Sequence, residues 1–295
     1  MYPPDVTYSR PQSIDEAISA LSQPEARILA GGHSLLTGLK QRSIDAQTLV
    51  DIGDLDALRG IERDEDGLHI GGGTRYVDIL SHPSISSVAP SLVEAVAAVG
   101  DRQIRNRGTI GGNLVQADPG ADVPAATLAV DATVTIRGPD DERTCGIADI
   151  YQDTTATGWE RAAAIGPDEL LTGVHIPSDP AIRGAYVRKT HPSRGYATIG
   201  VAVRVRTDGT SVERARIAAT GLTRSPQRLT GAEEALIGKS LEDADCIDEA
   251  ADRADEGIDR DDVIDDPNVS AGYRVDILGP YVTAALERVR EGGKP

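Results

Sequence analysis

The sequence predicts an α+β protein built in parts, on three observations. Residues 1–177 alternate short stretches of helical and strand periodicity, punctuated by glycine pairs. Pro177-Ser178-Asp179-Pro180 then interrupts the pattern in the manner of a linker. Beyond it, strand-like stretches that alternate apolar and polar residues are followed by helical ones. The expected organisation is two α/β units, residues 1–57 and 58–177, and then an α+β domain over 178–295. That last domain is expected to be an antiparallel sheet with helices on one face. At 295 residues the chain is long enough for more than one core.

Each element has a local reason. Ser13-Ile14-Asp15-Glu16 reads as a capping box, and Ile14, Ala17, Ile18 and Leu21 continue at helical spacing toward Pro24. Residues 27–30 read as a strand running into the turn Ala30-Gly31-Gly32-His33-Ser34-Leu35. A short helix to Leu39 and a strand at 48–52 complete the first unit. The second unit opens near Ile61. A strand at 68–70 ends in Gly71-Gly72-Gly73, and Thr74 is expected to cap a helix through Leu80. Residues 91–99 form a helix stopped by Gly100. A second glycine turn, Thr109-Ile110-Gly111-Gly112-Asn113, precedes a helix at 124–130. Strands at 132–137 and 143–147 flank a polar turn, and 169–176 is a further strand. In the last part, strands are expected at 184–189, 199–206 and 212–219, each with one solvated face. Asp208-Gly209 marks a hairpin. Helices follow at 231–237, 244–254 and 270–289, and the acidic stretch 255–266 reads as an exposed loop.

Composition narrows the function. The net charge is −17, Lys occurs only at positions 40, 189, 239 and 294, and there is no Phe. An acidic, Lys-poor surface fits a halophilic protein in a salt-rich cytoplasm, where screening weakens self-repulsion. It argues against nucleic acid, which demands basic surfaces. Cys145 and Cys246 lack metal-ligand spacing, and two isolated thiols cannot hold a cluster that wants four. No signal peptide and no membrane-length apolar run is apparent, so a cytoplasmic location without membrane insertion is expected.

The two glycine turns suggest an anion cradle, because glycine lets backbone approach a ligand and successive N–H groups can converge on it. Common phosphate motifs fail. Gly71-Gly72-Gly73 lacks the third glycine of a dinucleotide fingerprint, and Gly238-Lys239-Ser240 is preceded by Glu233 where a phosphate loop begins with glycine. Charge still points to an anion. Residues 27–44 contain Arg27, Lys40 and Arg42 but no acid; residues 102–117 contain Arg102, Arg105 and Arg107 but no acid. One diphosphate held between the turns is the reading.

The two glycine turns, the run from Asp101 to Asn113 and Asp118-Pro119-Gly120-Ala121-Asp122 resemble the FAD-binding medium subunits of molybdenum hydroxylases. This is the family of xanthine dehydrogenase and aerobic carbon monoxide dehydrogenase, with the carbon monoxide dehydrogenase branch the nearer. The resemblance implies an oxidoreductase subunit with the vanillyl-alcohol-oxidase-type FAD-binding fold. It implies a large partner subunit with a molybdenum cofactor and a small one with [2Fe–2S] clusters, assembled as a dimer of heterotrimers. FAD would take electrons from a cluster and deliver them to a quinone, oxygen or another carrier. The substrate stays open among carbon monoxide, purines, aldehydes and aromatic acids.

By the same resemblance, Ala30, Gly31, Gly32, His33, Ser34 and Leu35, with Thr109, Ile110, Gly111, Gly112 and Asn113, hold the pyrophosphate. They do so through backbone N–H groups and the Ser34, Thr109 and Asn113 side chains. Asp122 matches the acid for ribitol or ribose hydroxyls, with a helix N-cap as its alternative. Leu171 and Val99 are apolar walls, and Tyr196 lies against the isoalloxazine unless it is a sheet-surface residue. Arg188 stands where the family often has Lys, with Lys189 beside it. No catalytic or metal-binding residue is implied. A stand-alone FAD-dependent oxidoreductase of the same fold is the second reading.

Overall fold

Why the chain folds in separate sheets is visible from its first strands. The structure, a computed structural model, describes residues 2–151, 163–179, 182–193 and 195–292. Strand β1 (Thr7–Ser9), helix α1 (Ile14–Leu21), β2 (Ala26–Leu29), α2 (Leu35–Gln41) and β3 (Thr48–Asp51) form a parallel sheet in the order β1-β3-β2. At the start of α1, Ser13 Oγ accepts the Glu16 N–H at 3.1 Å. Glu16 reaches back one residue beyond the usual capping box, to the Gln12 N–H at 2.8 Å. Ala17, Ile18 and Leu21 bury one face of α1 among Val50, Ile52 and Leu58.

Next come β4 (Ile61–Arg63), β5 (Gly67–Gly71), α3 (Tyr76–Ser81), α4 (Ile85–Val88), α5 (Pro90–Ala98), α6 (Arg102–Arg105), α7 (Ile110–Gln116) and α8 (Asp122–Ala129). They are followed by β6 (Thr133–Arg137), β7 (Glu142–Gly146) and β8 (Leu170–Pro177). The five strands pair antiparallel in the order β4-β5-β8-β6-β7. The structure differs from the sequence reading at two places. Thr74 does not cap α3: its hydroxyl and Gly60 exchange hydrogen bonds at 3.0 and 3.1 Å, and the helix starts after Arg75. Nor is 109–113 a turn. Thr109 is the N-cap of α7, and both glycines lie in its first turn. Gly111 is there for close packing against the Gly72 backbone, which a turn reading does not distinguish from backbone freedom.

The last part holds β9 (Ile182–Thr190), β10 (Ala197–Asp208), β11 (Ser211–Thr220) and β12 (Gln227–Arg228), then α9 (Thr230–Leu236), α10 (Ala244–Asp252) and α11 (Ala271–Arg290). The sheet is antiparallel in the order β12-β11-β10-β9. Its own helices cover one face, where Val201, Val203 and Ile217 are buried. The other face, expected to be solvated, carries Tyr186, Ala202 and Ala218 into the core of the preceding unit. Alternation marks two faces, but small residues such as these do not say whether water or a helix covers the second. Here α5 and α8 cover it. Every residue of α8 is accordingly buried. The 255–266 stretch is exposed for much of its length but ends in the half-buried Asp266, whose carboxylate pairs with Arg274.

Candidate functional site: a cavity between two glycine segments

A cavity of about 550 Å³ opens between the first sheet, α7 and β8. That volume suits a small-molecule or cofactor site. Ala30 and Leu35 line it from one side, Gly111 and Gly112 from another, and Leu171 from a third. Three backbone segments meet here because side chains are missing. A Cβ on Gly31 would fall 2.5 Å from the Arg107 carbonyl oxygen. A Cβ on Gly111 would fall 2.6 Å from the Gly72 carbonyl oxygen. Gly32 adds a positive φ of 78° that bends the chain out of β2.

The two segments differ in what they offer an anion. The N–H groups of Gly31, Gly32, His33, Ser34 and Leu35 donate to nothing among the described residues. The Ser34 hydroxyl caps nothing either. In the second segment the Ile110 N–H is taken by Thr74 O, that of Gly111 by Gly72 O, and that of Asn113 by Thr109 O. Gly112 N–H donates to Thr109 Oγ1 at 3.2 Å. Backbone donation is therefore open along the whole first segment and, in the second, only at Thr109, whose N–H has no partner among the described residues. The second supplies close approach and the Asn113 side chain, whose buried Oδ1 accepts no hydrogen bond.

Asn113 leads from the cavity to a buried polar cluster. Its side chain lies against the Tyr76 hydroxyl, whose pKa burial pushes far up. Beyond it, Asp122 is buried at the start of α8, and Ala121 rather than Asp122 is that helix's N-cap. Asp122 Oδ1 accepts the Tyr186 hydroxyl at 2.6 Å. Arg188 Nη1 donates to Asp122 Oδ1 at 3.0 Å and Oδ2 at 2.8 Å. Burial raises the Asp122 pKa, and Arg188 and Tyr186 oppose that rise. Arg188 thus turns toward the preceding unit, whereas Lys189 is exposed.

The loop before α8 is clamped to the last sheet. Thr220 Oγ1 donates to the Pro119 and Ala121 carbonyls at 2.9 and 2.8 Å. The Ala197 N–H bonds to Gly120 O at 2.9 Å. This sets the half-exposed Tyr196 directly against Gly120.

Of the expected residues, Ala30, Leu35, Gly111, Gly112 and Leu171 line the cavity, while Gly31, Gly32, Ser34, Thr109, Ile110 and Asn113 adjoin them in the chain without lining it. His33 is exposed, and its carbonyl accepts the Thr37 hydroxyl at 2.7 Å. Val99 does not line the cavity; its carbonyl accepts Arg105 Nη1 at 2.9 Å. Sequence windows missed Gly72, Asp45 and Glu169 on the cavity wall. Gly72 belongs to Gly71-Gly72-Gly73, which lacks the third glycine of a dinucleotide fingerprint and so carries no phosphate signal of its own. Asp45 directly follows the first acid-free window and lines the cavity with its neighbours Ser43 and Ile44, whereas Glu169 reaches the wall only through folding. Glu169 is neutralised by Arg143, bonded at 3.1 Å between Nη2 and Oε2.

Residues 4–179 match the family described as the FAD binding domain in molybdopterin dehydrogenase, and residues 186–289 match the carbon monoxide dehydrogenase flavoprotein C-terminal domain. The chain belongs to the molybdopterin dehydrogenase flavoproteins. It is 34% identical to the carbon monoxide dehydrogenase medium chain of Hydrogenophaga pseudoflava, covering 97% of each chain. It is 32% identical to the glyceraldehyde dehydrogenase medium chain of Sulfolobus acidocaldarius, over 82% of this chain and 85% of that one. In structure it superposes on a chain of carbon monoxide dehydrogenase from Hydrogenophaga pseudoflava with a TM-score of 0.90, at 32% identity and 99% coverage of both. As a molybdopterin dehydrogenase flavoprotein, this chain is the FAD-binding subunit of an oxidoreductase. Among the described residues, no cluster of three or more His, Cys, Asp or Glu could hold a metal ion. No helix among them is long and apolar enough to cross a membrane.

Proposed function

We propose that the chain is the electron-relay subunit of a cytoplasmic molybdenum hydroxylase complex. It would bind FAD and link the [2Fe–2S] clusters of a small subunit to an external acceptor. A large molybdenum-cofactor subunit would oxidise the substrate and set its identity. The observation that carries this reading is the row of five unpaired N–H groups from Gly31 to Leu35, bracketed by the cavity-lining Ala30 and Leu35. Such a row solvates a diphosphate without requiring a cation.

The residues present fit the cofactor: a cradle that a Cβ would fill, unpaired donors, and the orphaned Asn113 Oδ1. Bound FAD supplies a redox centre that exchanges electrons singly or in pairs. The protein's share is binding and orientation. Gly31 to Leu35 and the Ser34 hydroxyl donate to the diphosphate, and Asn113 Oδ1 accepts a hydroxyl or imide donor. Asp122 Oδ1 already takes two donors and Oδ2 one, which leaves a lone pair on Oδ2 for a ribityl or ribose hydroxyl. Leu171 and Tyr196 supply apolar and aromatic surface. Arg188 acts through Asp122, holding a positive charge at a fixed place where a lysine would wander. The acidic surface suits a salt-rich cytoplasm.

Purifying the chain alone and with its partners tests the reading. The expected result is a yellow protein with one FAD that turns over no small alcohol or aldehyde alone, and whose flavin is reduced by substrate only in the complex. A colourless chain that takes up no FAD overturns it. Turnover of a small alcohol by the isolated chain selects a stand-alone FAD oxidoreductase instead.

A further inference from the structure

A second cavity, of about 10 Å³, lies away from the nucleotide site, at the junction of α8, β8 and the last sheet. That is room for one water-sized sphere. Arg204 and Arg206 of β10 and Arg214 and Arg216 of β11 line it, with Asp131, Asp179 and Ile182. Four guanidiniums thus face two carboxylates in a chain of net charge −17.

The carboxylates are oversubscribed. Asp131 accepts Arg214 Nη2 at 2.5 Å, Arg216 Nε at 2.9 Å and Arg228 Nη1 at 3.1 Å. Arg206 shares its charge between Glu213 at 2.7 Å and Asp179 at 3.5 Å. Glu233 is held by Arg228 at 2.6 Å, with Arg216 at 3.9 Å. Even with Glu213, Glu233 and Arg228 included, cations outnumber acids.

Arg204 is the decisive residue. It is 6% exposed. Its Nη1 donates to the Val130 carbonyl at 2.6 Å and its Nη2 to the Pro177 carbonyl at 2.9 Å. Both acceptors are neutral, and no carboxylate lies within ion-pairing distance among the described residues. Its Nε–H has no partner at all. A buried cation with no carboxylate in contact and an unmade hydrogen bond is costly on both counts.

We infer that this cavity is a binding site for one small monovalent anion of chloride size. The Arg204 Nε–H and the guanidiniums of Arg206, Arg214 and Arg216 hold it. A water molecule could take the hydrogen bond but would leave the excess charge, and the volume is too small for sulfate or phosphate. The site is independent of the FAD reading. Its place gives it a structural consequence: the anion joins the C-terminal end of α8 and the end of β8 to β10 and β11. Asp122 and Arg188 span the same junction at the other end of α8.

Two measurements on the full chain test it. Crystals grown in bromide should show one anomalous peak within hydrogen-bonding distance of Arg204 Nε. Titrating chloride against gluconate at constant ionic strength should lower the unfolding constant about tenfold once chloride reaches about ten times its dissociation constant. The rim variant R206Q/R214Q should lose most of that response. Density for water only at Arg204, or an unchanged chloride response in the rim variant, overturns the site. If the rim variant does not fold, the bromide peak alone decides.

Discussion

Arg188 Nη1 stands 2.8 Å from Asp122 Oδ2, so a strand of the last sheet and the first residue of α8 are joined by an ion pair whose carboxylate is buried. Removing Arg188 as Arg188→Met leaves a carboxylate that is 3% exposed with Tyr186 as its one side-chain partner among the described residues. The expected loss is about 3 kcal/mol in denaturant unfolding, with lower FAD content on purification. Arg188→Lys should recover part of both, since an ammonium restores the charge without the fork. Equal stability of Arg188→Met and the parent protein would show that the pair is dispensable.

Gly31→Ala puts a methyl 2.5 Å from the Arg107 carbonyl oxygen and 2.8 Å from Gly108 Cα, both backbone atoms that cannot swing away. We expect about 1–3 kcal/mol of destabilisation and a marked fall in bound FAD, read by the ratio of flavin to protein absorbance. Gly272→Ala is the control. It lies in α11 with nothing within 4 Å of a new Cβ, so it should be neutral or stabilising by up to about 1 kcal/mol. Undiminished FAD in Gly31→Ala would contradict the close approach.

Asp266 predicts an acid limb. Burial pushes its carboxyl up, yet the Asn268 backbone amide, His191 and Arg274 outweigh burial and hold it at about 2, below the ordinary 3.8. A depressed carboxyl pKa stabilises the fold above about pH 4, and that share is lost as pH falls toward 2. Urea unfolding across this window should lose about 1–2 kcal/mol from this group. Asp266→Asn should flatten that segment of the curve, and an unchanged slope would refute the assignment.

Tyr196 packs on Gly120 but leaves its ring half-exposed. Tyr196→Leu should alter the flavin absorption and fluorescence bands while the thermal midpoint moves by less than about 2 °C. A normal flavin spectrum would place the ring away from the cofactor.

The sequence by itself carried the local decisions. Ser13 before a helical repeat, Asp208-Gly209 between alternating runs, and Gly100 after an apolar helix each settle their element through neighbours in the chain. The first glycine segment was legible for the same reason, since its conformation depends on residues within a few positions. Tertiary structure decided what depends on distant partners. It filled the amides of the second glycine segment through Thr74 and Gly72. It brought Glu169 to a cavity whose sequence windows hold no acid. It buried the small-residue face of β10 under α8, and it turned Asp122 toward Arg188, 66 positions away. Periodicity and capping act over one or two turns of chain, whereas burial, ion pairing and the free or filled state of an amide are set by whichever segment packs alongside.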